Sequence, residues 1–334
     1  MTYGSSEGTK TGMEVVAVDI GGTHARFAIA EVAEGRVVSI GEPMTQKVAE
    51  HSSLQLAWQA FGESLGRPLP PAAAIAVASP INDDLIKLTN NPWIIRPKMI
   101  PERLGAATWT LVNDFAAIGH AVAQLSPDSF LHLCGPDEPL PEKGSITVCG
   151  PGTGLGVAQV FRHRAGYDII ATEGGHTDFA PLDGIEDALV KRLRKTFTRV
   201  STERVVAGPG IVAIYETLAE IEGKPVHRLD DKALWSLALE GKDELAVAAL
   251  DRFCMSLGAV AGDLALTHGP SGVVIAGGLG LRLKDHLLQS GFGQRFVAKG
   301  RFQGLMAGVP VKLITHPQPG LYGAAAAFAQ EHLL

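Results

Sequence analysis

Two glycine turns in matching places constrain this chain more than any other feature. Glu14 to Ile20 (EVVAVDI) is an apolar, β-rich run, and Gly21-Gly22-Thr23 follows it. Ser145 to Cys149 is a second such run, followed by Gly150-Pro151-Gly152-Thr153-Gly154. Two more short apolar runs come after each turn: Ala25–Ala30 and Gly35–Ile40 in the first half, Val157–Phe161 and Asp168–Ala171 in the second. Three such runs separated by turn residues predict an antiparallel meander. The same opening in both halves predicts a duplicated α/β fold, although the halves share little identity letter by letter.

The remaining patterns extend that plan. A helix is predicted over about Ser53–Leu65, with Leu54, Ala57, Trp58, Phe61 and Leu65 on one face. Ala73–Ser79 and Thr110–Asn113 read as strands, and Phe115–Leu125 as a helix. Helices dominate from about Ile185 to His268. Val273–Ala276 and Val311–Ile314 are strands, and a helix starts near Gly320. At 334 residues there is room for two domains of ordinary size. The 39 glycines suit a chain with many tight turns and close backbone approaches.

Several classes are excluded. With 46% hydrophobic and 19% charged residues, a large core is expected and disorder is not the main state. The formal net charge of −6 and the lack of a basic stripe argue against a nucleic-acid partner. No apolar run approaches about 18 residues, so no membrane span is expected. Residues 1–12 lack the apolar core of a signal peptide and read as a flexible tail. The letters G-x-S-x-G at Gly4–Gly8 fall in that tail, without the strand and helix a nucleophile elbow needs. Cys134, Cys149 and Cys254 are odd in number and form no C-x-x-C, which fits a reducing cytoplasm. There is no G-x-x-x-x-G-K-[ST] phosphate loop and no clean G-x-G-x-x-G between a strand and a helix.

The two glycine turns are the first candidates for chemistry. Residues without Cβ let backbone N–H groups converge on phosphate oxygens, and Thr23 and Thr153 add hydroxyl donors. Asp19 stands where a divalent ion on those phosphates is held, through water. The alternative is two plain hairpin turns, which two matching copies, one with an acid at the strand end, make less economical. His24 adds a titratable group beside the first turn, and Pro151 removes one donor from the second. Val273–Gly278 (VVIAGG) is a third glycine turn; it either lets adenosine lie on backbone or simply joins strand to helix. Asn113-Asp114 ends a strand before a helix: Asp114 suits a general base, and both residues suit a helix N-cap. Glu173-Gly174-Gly175-His176 concentrates polar groups with little bulk, as a polyhydroxylated ligand requires. His176 alone reads equally as a satisfied core residue or a metal ligand.

Taken together, DIGGT (Asp19–Thr23), LVNDF (Leu111–Phe115), GTGLG (Gly152–Gly156), EGGHTDFAP (Glu173–Pro181), the Ser201–Gly210 segment and IAGG (Ile275–Gly278) resemble the bacterial glucokinase family. That family lies within the hexokinase–actin–heat-shock-chaperone ATPase superfamily, and the resemblance runs from about Val15 to Phe328. It implies a two-domain, actin-like (ribonuclease H-like) α/β fold with a duplicated βββαβαβα plan and an interdomain cleft that closes on glucose. The small domain would hold 13–123 plus 318–334, the large one 124–317. Asp114 would be the catalytic base, with Asn113, Glu173, His176 and Glu203 on the other sugar hydroxyls. Asp19, Ile20, Gly21, Gly22 and Thr23, with Gly152, Thr153 and Gly154, would clamp the phosphates of ATP, Asp19 would hold Mg²⁺ through water, and Gly277 and Gly278 would lie by adenosine.

A neighbouring group of sugar kinases and repressors carries a cysteine-rich zinc motif after its histidine. No cysteine follows His176 until Cys254, so no structural zinc is expected. The expected partners are glucose and ATP, in a cytoplasmic protein for which a homodimer is the default oligomer. Phosphoryl transfer to another hexose or an N-acetylated sugar, polyphosphate as donor, and a non-catalytic sugar or nucleotide sensor are the alternatives.

Overall fold

The computed structural model describes residues 12–81, 84–88, 91–226 and 228–334. The segment Gly4–Gly8 and most of the expected tail lie outside them. The chain divides into two compact units, one running up to Leu125 and including Pro317–Leu334, the other Ser126–His316.

The first unit opens with β1 (Met13–Ile20), β2 (His24–Ala33), β3 (Arg36–Ile40) and β4 (Met44–Lys47). It continues with α1 (Leu54–Leu65), β5 (Ala72–Val77), the short β6 (Ile86–Lys87) and β7 (Ile94–Ile95), α2 (Ile100–Leu104), β8 (Thr108–Asn113) and α3 (Asp114–Gln124). The sheet order is β3-β2-β1-β5-β8, with β4 also on β2. β1 pairs antiparallel with β2 and parallel with β5, and β5 pairs parallel with β8. Successive side chains of a strand face opposite ways, so a central strand covered on both faces must be apolar throughout. β1 meets that condition over Val15–Val18, with the two acids, Glu14 and Asp19, toward its ends. Val16, Val18 and Ile20 pack with Trp58 and Phe61 of α1, while Val15 and Ala17 pack with Leu321, Ala325 and Phe328 of the C-terminal helix, Pro319–His332.

α1 starts where Ser53 accepts the Leu56 N–H and stops at Gly66, whose left-handed φ of 63° suits glycine. Leu65 departs from expectation. It is 37% exposed, because the last turn of α1 runs past the core that buries Leu54, Ala57, Trp58 and Phe61.

The second unit contains β9 (Phe130–Cys134), β10 (Gly144–Pro151), β11 (Leu155–His163) and β12 (Gly166–Thr172). Helices α4 (Gly184–Leu193), α5 (Thr202–Val205), α6 (Gly210–Ile221), α7 (Asp231–Leu239) and α8 (Glu244–His268) follow. Then come β13 (Pro270–Ile275), α9 (Gly277–Arg282), α10 (Lys284–Gln289), α11 (Phe292–Val297), α12 (Gln303–Ala307) and β14 (Val311–Ile314). The sheet order is β12-β11-β10-β13-β14-β9, antiparallel for the first two pairings and parallel for the next two.

α8 is the spine of this unit, burying Leu250, Phe253, Leu257 and Ala261 among α6, α7 and α11. Trp235 of α7 meets Phe253 edge-on at 5.0 Å between centroids. By length and composition α8 alone among the described residues is apolar enough to cross a membrane, which corrects the expectation that no run comes near that length. Most of its apolar window is buried, as befits a core helix. At the start of α4, Asp183 caps the N–H groups of Ile185 and Glu186, and Glu186 reaches back to Leu182 N–H at 2.7 Å. Arg252 and Arg295 both pair with Asp183, so the fully buried Glu186 sits in a cluster of two acids and two guanidiniums.

Candidate active site

In the first unit, Gly21-Gly22-Thr23 bridges β1 and β2. Gly21 N–H closes the turn on the His24 carbonyl at 3.0 Å, so it is not a spare donor. The Gly21 carbonyl accepts from Asn91 Nδ2 at 3.0 Å, and the Thr23 carbonyl accepts from Val48 N–H at 3.0 Å. Thr23 and His24 are exposed at the tip. Asp19 lies one residue inside β1, and its Oδ2 is 3.3 Å from Arg26 Nη1. Burial raises its pKa, and Arg26 offsets part of that rise. The first turn of the C-terminal helix lies against this carboxylate: a β carbon on Gly320 would stand 2.6 Å from Asp19 Oδ2.

Asn113 caps α3, accepting the N–H groups of Phe115 at 2.9 Å and Ala116 at 3.1 Å. Its Oδ1 is therefore committed to the helix, and its Nδ2, 3.4 Å from the Ser79 carbonyl, is the atom left for a ligand. Asp114 is the first residue of α3; its Oδ1 accepts the Phe115 N–H at 2.9 Å and its side chain is half-buried. The cap is thus Asn113, and Asp114 stands beside it at the helix start.

In the second unit one residue, Leu155, ties three motifs together. The turn Gly152-Thr153-Gly154 closes through Gly152 N–H to the Gly154 carbonyl at 2.8 Å, and Gly208 N–H holds the Gly152 carbonyl at 2.8 Å. Leu155 N–H, next in the chain, donates to Glu203 Oε2 at 3.0 Å. The Leu155 carbonyl packs directly on Gly175, leaving no space for a β carbon there. Thr202 Oγ1 donates to the Gly175 carbonyl at 2.6 Å, and Thr202 N–H to the Thr177 carbonyl at 2.8 Å. The glycine pair in EGGH is therefore a packing requirement: it lets Glu173 and His176 project from a single helical turn seated on β11. Both side chains are more than half exposed, with His176 Nε2 at 3.8 Å from Glu173 Oε2.

The third turn joins this group. Ala276 N–H donates to the Cys149 carbonyl at 2.8 Å, and Gly277, at φ 82°, has backbone of Pro151 where a β carbon would go. Gly278 lies at the exposed start of α9. One unit thus brings together the second glycine turn, the Ala276–Gly278 turn, Glu203 and the EGGH turn. Asp19, Gly21–Thr23, Asn113 and Asp114 belong to the other.

Among the described residues no group of three or more His, Cys, Asp and Glu side chains is placed to hold a metal. A hard cation such as Mg²⁺ needs less, commonly one carboxylate with waters and phosphate oxygens. The partly buried Asp19 carboxylate, with Arg26 as a weakly placed cationic neighbour, fits that donor set. All three cysteines are unpaired, and burial pushes the thiols of Cys149 and Cys254 up to about 12 and that of Cys134 to about 11.

Asn91, Gly320, Leu155 and Thr202 were not legible as site residues.

Comparison with known proteins bears on these motifs. The sequence model of a family described as Glucokinase matches residues 16–331. Over 320 residues the chain is 62% identical to the glucokinase of Zymomonas mobilis, covering 96% of this chain and 99% of that one. It is 36% identical to the glucokinase of Caulobacter vibrioides over 329 residues, 97% and 98% of the two chains. Among solved structures, a glucokinase from an Antarctic psychrotroph is similar with a TM-score of 0.83 at 34% identity, over 94% of this chain and 98% of that one.

Proposed function

This chain belongs to the glucokinase family, and from that premise we propose how its residues divide the reaction. It is an ATP-dependent hexose kinase that transfers the γ-phosphoryl group of ATP to glucose. Such a transfer leaves little covalent work to the protein, so positioning and charge neutralisation dominate.

Asp114 accepts the proton of the sugar's 6-hydroxyl as its oxygen attacks phosphorus. Asn113 Nδ2, Glu173, His176 and Glu203 hold the remaining hydroxyls. A sugar lacking one of those hydroxyls strands a polar partner, which is how such a pocket discriminates. The N–H groups and hydroxyls of Gly22, Thr23, Thr153 and Gly154 hold phosphate oxygens, with Gly21 and Gly152 closing the turns behind them. Adenosine lies by Gly277 and Gly278. Asp19 would hold Mg²⁺ through water, and the ion would neutralise phosphate charge.

The observation that carries this reading is the Leu155 junction: a carboxylate for sugar and a turn for phosphate share one peptide unit. We read the two sheets, with their common run of two antiparallel and two parallel pairings, as two copies of one βββαβαβα plan. Three unpaired cysteines support placement in a reducing cytoplasm.

The test is ADP release with glucose, mannose, fructose and N-acetylglucosamine, each with and without Mg²⁺. Mg²⁺-dependent release with glucose alone is the expected result. Equal turnover of another sugar would move the specificity, and no release with any sugar would leave a binding role.

A further inference from the structure

The two glycine turns share a detail that their sequences hide. A peptide group is planar and trans, so its C=O and N–H point in opposite directions. Whatever grips the carbonyl of one residue therefore aims the N–H of the next. In the second turn Gly208 N–H grips the Gly152 carbonyl at 2.8 Å, which aims Thr153 N–H the other way. In the first turn the corresponding carbonyl belongs to Gly21, since Ile20 pairs with Ala25 as Pro151 pairs with Leu155. There the grip is a side chain: Asn91 Nδ2 donates to it at 3.0 Å.

Asn91 is built for that task. It is 7% exposed, and its Oδ1 accepts the Trp93 N–H at 2.9 Å, which fixes the amide so that its nitrogen faces the turn. Trp93 is itself buried and anchored by its indole N–H on the His51 carbonyl at 2.8 Å. Gly22, with no Cβ, resists a flip of its peptide very little, so an unheld Gly21–Gly22 plane would sample both directions.

We infer that Asn91 is a positioning residue for nucleotide binding: it aims the Gly22 N–H at a phosphate oxygen, as the backbone of Gly208 does for Thr153. The inference rests on the phosphate reading of the first turn and adds to it a residue from a distant segment. It commits Asn91 to ATP and ADP, not to the sugar.

The test uses the full-length enzyme. Asn91→Asp keeps the acceptor for Trp93 N–H and loses the donor; Asn91→Ala loses both. For Asn91→Asp, KM for MgATP and the calorimetric Kd for ADP are expected to rise about tenfold, the effect of one lost hydrogen bond. Glucose KM and the melting temperature stay near those of the parent. A merely structural role would instead lower the melting temperature and the active fraction without moving either nucleotide constant. Nucleotide constants within about twofold of the parent in both variants overturn the inference. Thr23→Val checks the turn separately. If it weakens ATP while the Asn91 variants do not, Asn91 alone is misassigned. If it too leaves ATP unaffected, the phosphate reading of the turn falls.

Discussion

The Asp19 carboxylate rests on the bare backbone of Gly320, so closely that a β carbon at position 320 would stand 2.6 Å from Oδ2. Two demands meet at that glycine. Inside a helix, alanine is better than glycine by roughly 0.5–1 kcal/mol. Here the methyl group must push away a partly buried carboxylate paired with Arg26. Gly320→Ala is therefore expected to hold or raise the melting temperature while lowering kcat/KM for MgATP at least about tenfold. Thermal melts beside steady-state kinetics check this. A variant as active as the parent would separate Asp19 from the metal role.

Glu203 offers a second separation of roles. Glu203→Gln keeps an oxygen for Leu155 N–H and removes the charge, so its effect should fall on glucose KM with little change in stability. Glu203→Ala also strands a buried N–H, which costs about 1–3 kcal/mol. Melting temperatures and glucose KM for the pair of variants distinguish the two jobs. Equal destabilisation by both would make the carboxylate a structural strut.

Asp114→Asn is expected to lower kcat by about 10²–10⁴-fold, the usual worth of a general base. Glucose KM should change little, because Asn113 still caps α3. Single-turnover kinetics give the chemical step directly, and near-parental turnover would assign the base elsewhere.

What was legible followed from local pattern. EVVAVDI reads as a strand because it is apolar on both faces, and the structure covers both. The EGGH turn stands out because two glycines beside two polar groups are unusual. What stayed hidden depends on partners far away in the chain. Phe130–Cys134 carries His132 in its middle and becomes a strand only by pairing with Val311–Ile314. Asn91 gains its role from Gly21, and Gly320 from Asp19; neither neighbour can be read from spacing. Leu65 shows the converse failure, since helical spacing places it on the apolar face but cannot say where the core ends.

The cluster at the start of α4 predicts a pH effect. Burial alone would raise the pKa of Asp183, but the Glu186 N–H, Arg252 and Arg295 outweigh it and hold the carboxyl below its usual range. A carboxyl depressed in the folded state stabilises the fold above its unfolded pKa of about 3.9, and that stability is lost as pH falls through the folded value. The melting temperature should therefore fall on acidification below about pH 4, and less steeply in Asp183→Asn. Identical slopes would remove this pair from the acid response.

The cysteines should be inert. With burial pushing Cys149 and Cys254 to about 12 and Cys134 to about 11, almost no thiolate exists at neutral pH. Ellman's reagent should react with the native protein slowly and release three thiols after denaturation. A fast-reacting thiol in the native state would contradict the burial described.

The C-terminal helix packs with α3 on one face of the first sheet, yet it is made after the entire second unit. On the ribosome, β1, β2 and β5 emerge early and must wait, with Val15, Ala17 and Ala74 uncovered, until Leu321 and Phe328 arrive. The second unit has no such wait. Synthesis thus reverses the order of the sequence: the second unit can finish first, and Asp19 receives its backbone neighbour only after that unit has been translated. A chain released early would carry both glycine turns and still lack the support of its acidic one, so messages cut short should yield inactive protein that chaperones retain.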